Sequence, residues 1–91
     1  MLTLETVLHI PGNVSFSIVG EDAFLLNTRT NKYFRLEEVG TRLWGLLNEG
    51  SSLKDAHRVI LGEYEVDSGA LEQDLLELID ELAENGLVEL A

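Results

Sequence analysis

The hydrophobic period of this chain changes once, near Glu37, and that change constrains the fold more than any other feature of the sequence. Before it, short β-rich runs alternate, as in residues 14–19 (VSFSIV), where Val14, Phe16 and Ile18 fall on one face. After it, apolar residues recur every three or four positions, as they do in helices. The sequence therefore predicts strands followed by helices, which is an α+β fold.

Three strands are predicted, over residues 14–20, 23–27 and 32–36. Asn27 and Asn31 tolerate turn geometry, so a tight hairpin is expected between the last two strands. Their order along the chain predicts an antiparallel meander with its third strand at an edge. The structure of residues 1–13 stays open, because Pro11 and Gly12 interrupt a β-compatible run.

Three helices are predicted after residue 37. The first carries Trp44 on its flank and ends near Gly50, the second runs from Leu53 to about Gly62, and the third covers residues 69–85. Serines 51 and 52 and the pair Asp67 and Ser68 are the candidate N-caps. Three strands and then three helices, the last two joined by a short turn, form a winged helix-turn-helix-like single domain over residues 1–91.

The charge of the chain disfavours two classes of partner. Six Lys and Arg residues stand against 17 Asp and Glu residues, for a net charge of −11. Phosphate backbones and anionic lipids are bound mainly through Lys and Arg, so neither nucleic acid nor a membrane is expected as a partner. No run approaches the roughly 18 apolar residues of a membrane span, and we expect a cytoplasmic protein.

Candidate catalytic groups are also scarce. The chain has no cysteine, and His9 and His57 do not stand in a metal-ligand spacing. The carboxylates of the third helix follow its polar side, as on a solvated face, and no phosphate-binding glycine loop occurs. We expect no enzymatic activity, no metal and no cofactor.

The predicted edge strand and third helix suggest a binding surface. An exposed edge has unpaired backbone groups that can accept another strand, although Lys32 and Arg35 could equally protect it. Leu76 and Ala83 widen the apolar side of the third helix, so an extended peptide could lie between helix and strand; packing of Leu76 on a neighbouring element is an equal alternative.

Two other functions are open at this point. A winged helix could bind DNA through its second helix, which carries Lys54 and Arg58, but no Lys or Arg follows Arg58. The chain could also be a structural subunit whose groove is filled by an oligomer partner.

Most of the chain, from about Val14 to Leu90, resembles the PqqD-like family, the recognition elements of ribosomally synthesised and post-translationally modified peptides (RiPPs). The resemblance rests on the order and spacing of several short marks rather than on one motif. These marks are Tyr33-Phe34-x-Leu36, Val39-Gly40, Leu43-Trp44, a Ser-led second helix, Tyr64, and Leu82-x3-Gly86-Leu87-Val88. Asn31 stands where the family often has Gly, and Glu37 where it often has Asn, so the cap of the first helix is expected to differ.

The resemblance implies a non-catalytic module that binds the leader segment of a precursor peptide. The leader would add as a strand to the third strand and lie beside the third helix. The resemblance implies contact with the peptide through the backbone of the strand Lys32, Tyr33, Phe34, Arg35 and Leu36, and through the side chains of Tyr33, Phe34, Leu75, Leu78, Ile79 and Leu82. Asp74 would lie at the rim, where it could meet a basic leader residue. Lys32 and Arg35 would offer positive charge to an acidic leader.

Two kinds of modifying enzyme are compatible with the resemblance. One is a leader protease, as in lasso-peptide biosynthesis, and the other is a radical SAM enzyme, as in the pyrroloquinoline quinone pathway. The long N-terminal segment and the hairpin sequence of residues 25–34 favour the lasso type.

Overall fold

The computed structural model describes residues 2–90; Met1 and Ala91, which the single-domain prediction includes, lie outside them. Three consecutive antiparallel strands precede three helices, which confirms the predicted α+β arrangement. The elements are β1 Leu8–His9, β2 Val14–Val19, β3 Asp22–Asn27, β4 Lys32–Glu37, α1 Val39–Asn48, α2 Leu53–Glu63, α3 Ser68–Glu84 and β5 Glu89–Leu90.

The main sheet has the order β2-β3-β4, so β4 lies at an edge as predicted. Leu25 in the central strand stands opposite Phe16 on one side and Phe34 on the other. Because side chains alternate along a strand, Phe16, Leu25, Phe34 and Leu36 share the inner face, which packs on the helices. The outer face carries Phe24, Tyr33 and Arg35.

The N-terminal segment, whose structure the sequence left open, forms a second small sheet with the end of the chain. Leu8 pairs with Leu90 and His9 with Glu89, in antiparallel register. Alternate residues of the segment, Leu2, Leu4, Leu8 and Ile10, are partly buried against the core. The segment therefore covers apolar surface that the main sheet does not reach.

Trp44 is fully buried rather than placed on the flank of α1. Its ring makes an edge contact with Phe16, with ring centroids 5.7 Å apart and an interplanar angle of 75°. Helical periodicity alone placed Trp44 at the margin of the buried side of α1. In the structure the inner face of the sheet also covers this part of the helix.

The ends of the helices follow local chemistry. Ser52 Oγ accepts a hydrogen bond from Asp55 N at 3.1 Å, and Asp67 Oδ2 accepts one from Ala70 N at 3.0 Å. At the start of α1, Glu38 takes the left-handed conformation, with φ 44°, and makes no side-chain cap bond. Whether this cap differs from that of the family, as the departure at Glu37 suggests, stays a prediction.

Asn27 at the end of β3 holds the sheet to the C-terminal end of α3. Its buried side chain donates from Nδ2 to the carbonyl oxygen of Asn85 at 3.0 Å. Its Oδ1 accepts from Asn13 Nδ2 at 2.9 Å and from Arg29 N at 3.0 Å. One amide thus connects the start of β2, the β3–β4 hairpin and the end of α3.

This arrangement requires glycine at position 86. Gly86 has φ +70°, and a Cβ there would lie 2.8 Å from Asn27 Nδ2. We expect Gly86→Ala to lower the free energy of unfolding by about 2–3 kcal/mol, because it adds backbone strain and displaces the Asn27 amide.

Gly20→Ala is the matched control, since Gly20 has φ +64° and nothing within 4 Å of the added Cβ. It should cost only the backbone strain, about 1 kcal/mol. Urea unfolding followed by circular dichroism compares the two variants. Equal losses would show that the Asn27 contact contributes nothing beyond the turn.

Candidate functional site

A groove runs between the free edge of β4 and the adjacent flank of α3, and we refer to it as the β4–α3 groove. Within residues 2–90, no strand pairs with this edge of β4. At the Leu36 end, an added Cβ on Gly40 would lie 3.3 Å from Leu78 Cδ2 and 3.5 Å from Leu36. At the other end, Lys32 and Asn85 line one hollow. α3 therefore runs antiparallel to β4 along the groove.

The Leu36 end of the groove opens into an apolar pocket of about 390 Å³. It lies between the start of α1 and the first half of α3, and two aspartates, Asp67 and Asp74, are the charged residues in its lining. The lining residues are Val39, Gly40, Val66, Asp67, Ala70, Leu71, Asp74, Leu75 and Leu78. A pocket of this size accommodates an aliphatic or aromatic side chain.

The wall formed by α3 is acidic. Asp74, Leu78 and Glu81 follow one another at helical spacing on the same flank, and Glu77 and Glu84 line the same shallow hollow. Within residues 2–90, none of the six carboxylates of α3 takes part in an ion pair. The wall therefore presents negative charge that the described part of the chain does not neutralise.

Arg35 is engaged on the outer face of the sheet. Its Nη2 donates to Asp22 Oδ2 at 2.7 Å, and its guanidinium lies 5.8 Å from the centroid of the Phe24 ring. The hydrogen bond and the charge of Asp22, together with the charge of Glu37, raise the pKa of Arg35 above its ordinary value. Contrary to the expectation from sequence, this charge already has an acidic partner within the sheet.

The comparisons with known proteins agree with this geometry. The family model described as coenzyme PQQ synthesis protein D (PqqD) matches residues 22–88. The chain belongs to the PqqD family. The region matched by the family model begins at β3 and ends just before β5. It therefore includes β4, all three helices and both walls of the groove.

Two solved structures are similar to this PqqD family member over most of its length. One, described as TbiB1 in complex with the TbiA(beta) leader peptide, is 35% identical, with a TM-score of 0.85, covering 88% of this chain and 93% of that chain. The other, lasso peptide synthetase B1 complexed with the leader peptide, is 26% identical, with a TM-score of 0.81, covering 90% and 96%. Among curated proteins, none matches.

The residues that the family resemblance implied fall into two groups in this PqqD protein. Lys32, Tyr33 and Arg35 are exposed, and so is Asp74, while Phe34 and Leu78 are half-buried. The remaining four are core residues: Leu36 is 3% exposed, Leu75 1%, Ile79 0% and Leu82 0%. Contact of a peptide with these four stays a prediction. Leu36 would take part through its backbone and Leu75 lines the pocket, whereas contact with Ile79 and Leu82 would require their displacement.

Leu76 does not belong to the groove. It lies two positions from Leu78, about 200° around the helix, and it lines a different hollow together with Leu2. The alternative in which Leu76 packs near a neighbouring segment is therefore the one observed, and the apolar surface of the groove comes from Leu78 and the pocket.

Several pocket residues were not expected from the sequence. Val39 and Gly40 were recognised as family marks without a role in binding, and Val66 and Ala70 precede or begin α3 without any periodic signal. Val66 gave the one local sign of a binding pocket. It is an exposed valine just before a helix cap, and it adds nothing to the predicted core. The pocket forms only when α1 and α3 come together.

The histidines and carboxylates of residues 2–90 form no group of three or more that could hold a metal ion. His57 Nε2 lies 3.0 Å from the carbonyl oxygen of Ser68, which joins α2 to the start of α3. None of the helices described is long and apolar enough to cross a membrane.

Proposed function

We propose that this PqqD family member binds the leader segment of a ribosomally made precursor peptide in the β4–α3 groove and delivers it to a modifying enzyme. The observation that carries this proposal is the position of an unpaired strand edge directly beside an apolar pocket. An added strand would hydrogen-bond to β4 and place an inward side chain in the pocket. The role is one of binding rather than catalysis.

The two similar structures support the same assignment. Each is described as a complex with a leader peptide, and each is covered almost completely by this chain. One of them is a lasso peptide synthetase component. We therefore favour a leader protease of lasso-peptide biosynthesis as the enzyme served, in the cytoplasm, over a radical SAM enzyme of the kind expected from the family description alone.

The structure gives DNA binding little support. Lys54 and Arg58 in α2 would have to contact phosphate, yet Lys54 Nζ lies 3.3 Å from Glu5 Oε1 and Arg58 Nη2 lies 3.0 Å from Asp55 Oδ1. The charged residues of α3 are all carboxylates, which phosphate repels. Because affinity for duplex DNA requires several free cations on one face, we do not favour this function.

Leu78→Asp tests the position of the groove. We expect the dissociation constant for a fluorescent leader peptide to rise about tenfold or more, because the substitution places an unpaired charge beside the pocket. Fluorescence anisotropy measures binding, and circular dichroism checks the fold.

Leu76→Asp is the matched control. Both leucines are half-buried on α3, and both variants add one negative charge, but Leu76 lies outside the groove. Leu76→Asp should leave the affinity within about twofold. If both variants fold and bind alike, the groove is not the binding site.

Proline substitutions at Phe34 and Arg35 test strand addition. In an antiparallel sheet, the N–H groups of successive residues point alternately to the two neighbouring sides. One of the two prolines therefore breaks a hydrogen bond to β3 and destabilises the fold, while the other removes a donor only from the free edge.

The variant that keeps its hydrogen bonds to β3 should keep its thermal unfolding midpoint. It should bind the peptide about 2- to 10-fold more weakly, as expected for one lost hydrogen bond. Thermal unfolding and anisotropy separate the two effects. Unchanged affinity in the variant that keeps its hydrogen bonds to β3 would exclude backbone pairing with the free edge of β4 at that residue.

A further inference from the structure

We infer that the leader recognised by this chain carries a Lys or Arg two residues away from the aliphatic residue that enters the apolar pocket. This inference rests on the proposed function and specifies the chemistry of its ligand. The basic side chain would face the flank of α3 that carries Asp74 and Glu81. The sequence had suggested an acidic leader segment opposite Lys32 and Arg35 and a basic leader residue opposite Asp74.

The spacing follows from the geometry of the groove. On α3, Glu81 lies three residues beyond Leu78, or about 4.5 Å along the helix axis towards the hairpin end. On an added strand, side chains that face the same way are about 6.8 Å apart. If one side chain of the added strand enters the pocket beside Leu78, the side chain two residues further along faces the same way. That second side chain lies beside Glu81. A Lys or Arg side chain at that position reaches the Glu81 carboxylate. One placed two residues to the other side of the pocket residue lies at about the level of Asp74, which is four residues before Leu78, or about 6 Å along the helix axis.

The charges in the middle of the groove, around Leu78, are all negative. Within residues 2–90, neither Asp74 nor Glu81 takes part in an ion pair, and α3 contains no basic residue. The cations closest to the groove, Arg29 and Lys32, line the hollow at its hairpin end together with Glu84 and Glu89. The middle of the groove therefore attracts a cation, while its hairpin end carries mixed charge.

The pocket and the strand edge make this wall part of a peptide site rather than an ordinary solvated helix face. Asp74 and Glu81 stand about one turn before and one turn after Leu78 on α3, and both line the same shallow hollow with it. Glu72 lies nine positions from Glu81, on the opposite side of the helix, and lines the hollow of Leu2 and Leu76. The two glutamates thus provide a matched comparison on one helix.

A selection from random peptides tests the inference without knowledge of the natural leader. The full chain is immobilised and presented with a displayed library of random peptides about 12 residues long, enough to span a β-strand. Counter-selection on the Leu78→Asp variant removes peptides that bind the acidic surface non-specifically. Enriched peptides should contain an aliphatic residue with Lys or Arg two positions before or after it, and few acidic residues.

Glu81→Gln and Glu72→Gln then separate local from overall charge, because both remove one negative charge from α3. The dissociation constant of an enriched Lys-bearing peptide should rise about 2- to 5-fold with Glu81→Gln and stay within about 1.5-fold with Glu72→Gln. Glu81→Lys should weaken that peptide further and restore binding of its Lys→Glu counterpart. Raising the NaCl concentration from about 0.05 to 0.5 M should reduce the difference between the two glutamine variants.

Each result distinguishes the two proposals. Enriched peptides without a basic residue at that spacing, or equal effects of Glu81→Gln and Glu72→Gln, would overturn the inference and leave leader binding in the groove intact. No enrichment over the Leu78→Asp variant would overturn the proposed function and the inference with it.

Discussion

The buried side chain of Asn27 is the interaction on which the geometry of the groove depends. It donates one hydrogen bond to the carbonyl oxygen of Asn85, directly after α3, and accepts one from Asn13 before β2 and one from Arg29 in the hairpin. β4 follows directly from that hairpin, so the same amide sets the separation of β4 from α3 at the Lys32 end. A buried amide left without partners would cost about 1–3 kcal/mol, which favours this one arrangement of helix and sheet.

At the Leu36 end, the geometry of the groove depends on apolar packing and on Gly40, which has no side chain. Gly40 allows Leu36 and Leu78 to approach each other beneath it, and a Cβ at this position would be in tight contact with Leu78. The core below contains Leu75 and Ile79, which have almost no exposed surface. The groove therefore has a rigid apolar floor, a strand edge on one side and a flank of α3 on the other. The half-buried and exposed side chains along the groove and the free backbone of β4 are available to a ligand.

Charge is distributed unevenly around this groove. Four of the six cations of the chain already pair with carboxylates of the chain itself, namely Arg35, Arg42, Lys54 and Arg58. Arg42 binds Glu63 through two hydrogen bonds of 2.8 Å and so ties α1 to α2, which holds the pKa of Glu63 below its ordinary value. Three of the six basic residues fall within residues 29–35. Arg35 pairs with Asp22 on the outer face of the sheet, and Arg29 and Lys32 line the hollow at the hairpin end. The acidic flank of α3 dominates the middle of the groove.

The sequence by itself determined the elements and their ends. The change of period at Glu37 predicted strands before helices, and Ser52, Asp67, Gly50 and Gly86 marked helix ends through local hydrogen bonding and backbone conformation. Asn31 takes the left-handed position expected of it, with φ 61°. These features depend on residues within one turn or one strand of each other, and for that reason they could be predicted from the sequence.

Only the tertiary structure decided which surfaces remain open. Periodicity assigns Leu76, Leu78 and Ile79 to one broad apolar side of α3, but it does not say what covers each of them. In the folded chain Ile79 is sealed in the core, Leu76 lies beside Leu2, and Leu78 alone of the three borders the groove. The partner of Arg35 was hidden for the same reason, because Asp22 is 13 residues away along the chain and adjacent only in the sheet. Burial and ion pairing depend on contacts between distant segments, and the pattern of a single element contains no information about them.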